Sequence, residues 1–269
     1  RTFTAATLAL TLTLPAQAAT EDEIDTLFAA MRIADLMEIL RDEGMSQSSD
    51  ISDGMFPDRA AGWAAVVSGI YNPKTLREAF RDAFGAELAD DDITPLLDFF
   101  TSDTGQQIVE LELSARTARI DPDTEDAAIS AFEALGDTDP DRVAQLEAFV
   151  AANDLVELNV MGGLNSSLAF YNGLTDGGAF AMSQEEILST VWEQEEDIRE
   201  NAAEWLFAYL GLAFQPLNNA EVAAYIAMSD SDAGSDLNRA LFAGYDRVFS
   251  NVSYAIGASA AKFAVGEDI

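Results

Sequence analysis

Residues 96–112 read LLDFFTSDTGQQIVELE. Leu96, Leu97, Phe99 and Phe100 recur at helical spacing, Ser102-Asp103 followed by Gly105 makes a corner, and Ile108, Val109 and Leu111 open a second helical run. The same order of features returns 129 residues later as YIAMSDSDAGSDLNRAL, residues 225–241. A catalytic loop and a packing corner both explain a repeated Ser-Asp-x-Gly, and the local chemistry favours the corner. Asp103 and Asp232 are placed to cap the following helix, where a negative charge suits the positive end of the helix dipole. Gly105 and Gly234 lack a Cβ, so the preceding helix can approach closely. Ser102, Asp103, Gly105, Ser231, Asp232 and Gly234 are therefore read as structural corners that need no reactive chemistry.

Outward from the corner the spacing stays helical. Ile24, Leu27, Phe28 and Met31 form a first stripe, continued by Leu36, Met37 and Leu40, with Gly44 as a stop. Asn72-Pro73, Asp121-Pro122 and Asp139-Pro140 announce helix starts, since the side chain accepts orphan N–H groups and proline needs no donor at the first helical position. Ser183/Glu186, Asn218/Glu221 and Asp103/Gln106 have capping-box spacing. One long helix is predicted over 183–214. Residues 44–56 and the Gly-, Ser- and Asn-rich residues 162–181 read as loops. No two-residue alternation marks a strand. The fold class is all-α, a helical bundle.

Laying residues 63–119 over 192–248 pairs Trp63 with Trp192, Asn72 with Asn201, Ala79 with Ala208 and Leu88 with Leu217, besides the corner residues. Upstream, DLMEI at 35–39 resembles DLVEL at 154–158. The chain is thus expected to hold two tandem, diverged multi-helix units, 19–136 and 137–269.

Residues 1–18, RTFTAATLALTLTLPAQA, have the layout of a secretory signal peptide cleaved after Ala18: a basic residue, an apolar run, Pro15 and a small-x-small triplet. The expectation is a periplasmic protein with no stable membrane insertion after cleavage, the apolar run being shorter than the ~20 residues of a membrane span. With 48 acidic and 14 basic residues the formal charge is −34. Such a surface repels phosphate backbones, so no nucleic-acid partner is expected. The chain has no cysteine and no histidine. That removes Ser-His-Asp and Cys-His catalysis, thiol redox chemistry, and zinc or haem sites built on those ligands. No cofactor or metal site is predicted. The segment from Asp230 has three acids at calcium-loop positions but lacks the required glycine and the final glutamate.

The run from Asp92 to Leu113, DITPLLDFFTSDTGQQIVELEL, resembles an exported bacterial family known as domain of unknown function 2059. Asp92, Ile93, Leu97, Phe99, Phe100, Ser102, Gly105 and Gln106 carry the resemblance. Met228 and Ser229 replace the aromatic pair in the second copy. The resemblance implies an all-helical periplasmic protein and brings no activity or catalytic residue with it. The function expected is therefore non-catalytic binding or scaffolding in the cell envelope, with an envelope protein or an apolar ligand as partner. Leu168, Phe170, Tyr171 and Phe180, aromatic and apolar residues of the Gly-rich segment, are the candidate contacts. The alternative is a glycosidase-like hydrolase of envelope polymers using paired carboxylates, for which the acidic run WEQEEDIREN at 192–201 is the densest source.

Overall fold

The computed structural model describes residues 18–55, 59–178 and 181–264. Residues 1–17, most of the segment expected to be a signal peptide, lie outside them, as does Phe180. Among the described residues every regular element is an α-helix, in the order α1 (Glu21–Ala30), α2 (Ile33–Met55), α3 (Ala60–Ile70), α4 (Pro73–Leu88), α5 (Thr94–Phe100), α6 (Asp103–Ala118), α7 (Pro122–Thr138), α8 (Pro140–Ala152), α9 (Leu155–Asp176), α10 (Gln184–Trp192), α11 (Glu195–Ala213), α12 (Asn219–Ser229) and α13 (Asp232–Ala264). No helix among them is long and apolar enough to cross a membrane.

The predicted starts form as the chemistry requires. Asn72 accepts from the N–H groups of Lys74 and Thr75, Asp121 from Asp123 and Asp139 from Arg142, each with proline in the first turn. Reciprocal capping boxes close at Ser183/Glu186 and Asn218/Glu221. At the repeated corner the serine, one residue earlier than expected, is the cap. Ser102 Oγ accepts from Gly105 N at 3.1 Å and donates to Phe99 O at 2.6 Å. Ser231 Oγ accepts from Gly234 N at 3.0 Å and donates to Met228 O at 2.6 Å. Asp103 and Asp232 are instead the first helical residues. A hydroxyl both donates and accepts, so it ties the carbonyl of the outgoing helix to the amide of the incoming one; a carboxylate only accepts. Gln106 likewise closes no capping box, donating instead to the carbonyls of Ala30 and Phe100. The glycines sit where the approach demands them: a Cβ on Gly105 would lie 2.1 Å from Phe99 O, and one on Gly234 2.2 Å from Met228 O.

Three expectations are corrected. Residues 44–55 continue α2, and Gly44 is a notch within it: a Cβ there would stand 2.3 Å from the Tyr71 ring. Residues 162–176 belong to α9. Their small residues serve helix packing, for Gly173 lies against the backbone of Tyr254 and Gly257 of α13 against that of Phe170, each with a virtual Cβ 2.2 Å from the opposing carbonyl oxygen. The helix predicted over 183–214 is broken at Glu193-Gln194. There the Gln194 side chain is engaged by α9, accepting from Ser167 Oγ at 3.1 Å and donating to the Tyr171 hydroxyl at 3.3 Å.

Contacts of α13 with α9 and of α13 with α4 form the spine of the molecule. Asn238 donates to Asn153 O, Asn165 donates to Asp246, and Gly173 meets Tyr254 and Ala258, so α9 and α13 run parallel. On α4, Phe80 packs against Gly244 of α13 and meets Tyr245 edge-on at 5.2 Å. Phe28, Phe80 and Phe84 cluster within about 6 Å of one another, as ring centroids 6.1, 5.9 and 6.0 Å apart. Tyr225 of α12 links α5 to the later helices, stacked on Phe99 at 5.6 Å and touching Phe149 and Phe214 at 4.9 and 5.8 Å.

Packing of this kind makes a sharp prediction within α9. Gly173→Ala forces two backbones apart and should cost about 2–4 kcal/mol, a drop of several degrees in melting temperature. Gly162→Ala meets nothing within 4 Å; relief of backbone entropy should leave it neutral or stabilise it by roughly 0.5–1 kcal/mol. Thermal melts of the two variants followed by circular dichroism check this.

Candidate functional site

Where α9 and α13 are drawn together at Gly173 and Gly257, nothing intervenes between them. Toward their N-terminal ends the same two helices border a cavity of about 660 Å³, closed by α6, α8, α11 and α12. Leu155, Leu158, Leu206, Leu210, Leu237 and Leu241 line it together with Phe149, Trp205, Tyr209, Tyr225, Phe242, Tyr245 and Phe249. Met161, 57% exposed, sits on the rim, and the 2.8 Å hydrogen bond from Asn165 to Asp246 crosses from α9 to α13 there.

One carboxyl group lies in this apolar wall. Glu112 of α6 accepts from the Tyr225 hydroxyl at 3.2 Å, while its backbone carbonyl accepts from the Tyr209 hydroxyl at 3.3 Å. Part of the Glu112 surface is accessible, but that surface borders the cavity. Burial pushes the Glu112 carboxyl up to about 7, against the Tyr225 hydrogen bond, which pulls it down. The Tyr209 and Tyr225 hydroxyls are held well above their ordinary range, first by burial and then by the Glu112 charge.

Arg116, one helical turn beyond Glu112, makes a two-pronged ion pair with Glu43 of α2 at 2.8 and 2.9 Å. Burial works against its charge and the Glu43 bonds outweigh that, so its pKa is raised. Arg119 forms the corresponding pair with Glu125 and donates to Trp205 O at 2.8 Å. Both guanidinium groups stand over the Trp205 ring, at 5.5 and 4.8 Å from its centroid, and Tyr209 stacks on that ring at 5.1 Å. A second, more polar recess of about 370 Å³ opens on these pairs and shares Arg116, Trp205 and Phe249 with the first.

Leu168, Phe170 and Tyr171 are half-buried on α9 and lie outside the cavity lining. The Phe170 carbonyl is against Gly257 and the Tyr171 hydroxyl takes a hydrogen bond from Gln194. Glu193, Glu196, Asp197 and Glu200 of the acidic run are exposed, and Glu195 pairs with Arg199 at 2.8 Å across one helical turn. Among the described residues no group of three or more acidic side chains is arranged to hold a metal ion. Glu112 was not among the residues singled out from sequence. Its signal was present: it falls four residues after buried Ile108 and four before Arg116, on the apolar stripe of α6, where a charged residue calls for a partner.

Fold and cavity together define an all-helical protein with a half-open, largely apolar cavity that carries Glu112 in its wall. Residues 74–133 match the family described as an uncharacterized protein conserved in bacteria, domain of unknown function 2059. The match extends on both sides of residues 92–113 and runs from α4 into α7, so Glu112 and Arg116 lie within it while α8, α9 and α11–α13, which build the rest of the cavity, lie beyond it. No curated protein and no solved structure matches the chain.

The raised carboxyl has a definite signature. Its folded pKa of about 7 exceeds the ordinary 4.5. The folded state therefore holds the extra proton between these values, and stability falls as pH rises through 7. Glu112→Gln keeps an acceptor for Tyr225 without the buried charge. At pH 8.5 it should melt a few degrees above the parent, the shift of about 1–2 kcal/mol, and at pH 5 the two should coincide. Paired calorimetric melts across this range check the difference.

Proposed function

We propose that the protein is a non-catalytic binding protein of the cell envelope that takes up a small apolar molecule in the cavity bounded by α6, α8, α9, α11, α12 and α13. The observation that carries this reading is the chamber itself. At about 660 Å³ it falls in the roughly 300–1,000 Å³ range of small-molecule sites, with leucine and aromatic walls and few polar groups. Native cores pack densely, and a void this size forgoes the contacts that filling side chains would make. The export expectation from residues 1–18 supports an envelope location.

The reading of the chain as two diverged copies of one unit, also a proposal, gives the chamber an origin. Helix α1 packs on α2, α4 and α5, as α8 packs on α9, α11 and α12; α2 packs on α6 as α9 does on α13. Between the halves, α4 packs on α13 and α11 on α6. At the offset of the repeated corner, Phe84 corresponds to Ala213 and Phe100 to Ser229. The first unit fills its interior with rings at these positions, and the second has small residues there, with Ser229 in the cavity wall.

Restoring one ring tests the site. Ser229→Phe should keep the helical circular dichroism spectrum and abolish one-to-one uptake of Nile red, a neutral apolar dye, followed by its fluorescence. Uptake as in the parent would show that the cavity is not the binding site.

A further inference from the structure

The charges around the chamber narrow what it takes. Of the residues in its wall only Glu112, Arg116 and Asp246 are charged. Arg116 is paired with both oxygens of Glu43, and Asp246 is engaged by Asn165 at the rim. That leaves one acid inside. The Tyr225 hydroxyl is its hydrogen-bond donor, and among the described residues no arginine or lysine forms an ion pair with it, Arg116 being paired with Glu43. Around it stand tyrosines from three other helices: Tyr209 of α11 and Tyr225 of α12, whose hydroxyls donate to its backbone carbonyl and its carboxylate, and Tyr245 of α13, stacked on Phe249 at 6.0 Å.

We infer that the occupant is an organic cation with an apolar body, its ammonium group seated among Tyr209, Tyr225 and Tyr245 against the Glu112 carboxylate. The inference rests on the cavity reading above and deepens it. Aromatic faces attract a cation through their quadrupoles, most strongly when it is desolvated. A buried carboxylate without an ionic partner is unfavourable, and a bound cation supplies the missing one. A carboxylate ligand would instead set like charge against like charge. The net charge of −34 also raises the local concentration of cations near the mouth. The groups bearing on Glu112 from neighbouring elements are the three tyrosines, the Arg116–Glu43 pair on α6 and α2, and no other ionisable wall residue but Asp246. Because the tyrosines stay protonated and Arg116 stays charged near neutrality, Glu112 alone switches, and cation uptake strengthens as pH rises from 5.5 to 8.5.

Isothermal titration of the whole protein with octyltrimethylammonium, octan-1-ol and octanoate separates the possibilities. The expected result at pH 8.5 is one ammonium bound per chain, about tenfold or more tighter than octanoate and tighter than octanol. Glu112→Gln should weaken the ammonium about tenfold and octanol by far less. Octanol or octanoate binding the parent as tightly as the ammonium would overturn the cation inference and leave the cavity reading standing, whereas binding of none of the three would remove the cavity reading itself. Equal ammonium binding to parent and Glu112→Gln would assign the attraction to the acidic surface and not to Glu112. The order of the probes in the parent protein decides the ligand class even if a variant folds poorly.

Discussion

The parallel crossing of α9 and α13 is the constraint on which the rest of the molecule depends. Gly173 and Gly257 let two backbones touch, each accepting the other helix's carbonyl where a methyl group would stand 2.2 Å away. Contact this close at one end fixes the direction of both helices. The distance between them at the other end is then no longer free, and the residues there, Met161 to Ser166 on α9 and Leu237 to Phe249 on α13, line a chamber. Dense packing in one half of the pair thus sets how the half that borders the chamber is placed, because helices are stiff over such lengths.

Polar groups hold that geometry at its margins. Asn238 reaches the Asn153 carbonyl and Asn165 reaches Asp246, spanning from α13 to the start of α9 and back across the rim. On the opposite side Arg116 and Arg119 fasten α6 to α2 and α7 through two-pronged carboxylate pairs and lie over Trp205 of α11. With these arginines spoken for, Glu112 is left with a tyrosine hydroxyl and an apolar surround. Its raised pKa follows from that division of partners.

The two serine corners show the same economy at the level of a single side chain. A carboxylate in that place could satisfy an incoming amide but not the outgoing carbonyl; the hydroxyl does both, and glycine three residues on removes the Cβ that would hold the helices apart. Asp103 and Asp232, one residue further, sit in the first turn, where their charge suits the helix dipole.

The sequence by itself determined the helical class, most helix starts and the repeated corner, because apolar spacing and capping are local: Asn72-Pro73, Ser183/Glu186 and Asn218/Glu221 need only neighbours within one turn. It misassigned residues 44–55 and 162–176, since glycine, serine and asparagine mark loops by their own preferences yet become helical where another helix rewards a small surface. Glu112 stood in the opening motif without distinction, because the partners that bury it, Tyr209 and Tyr225, follow it by about a hundred residues, 97 and 113. Only the tertiary structure decided that α9 and α13 meet at Gly173 and Gly257 and that, toward their N-terminal ends, they border a chamber with α6, α8, α11 and α12. Burial and void are properties of which surfaces meet, and no local pattern of residues records them.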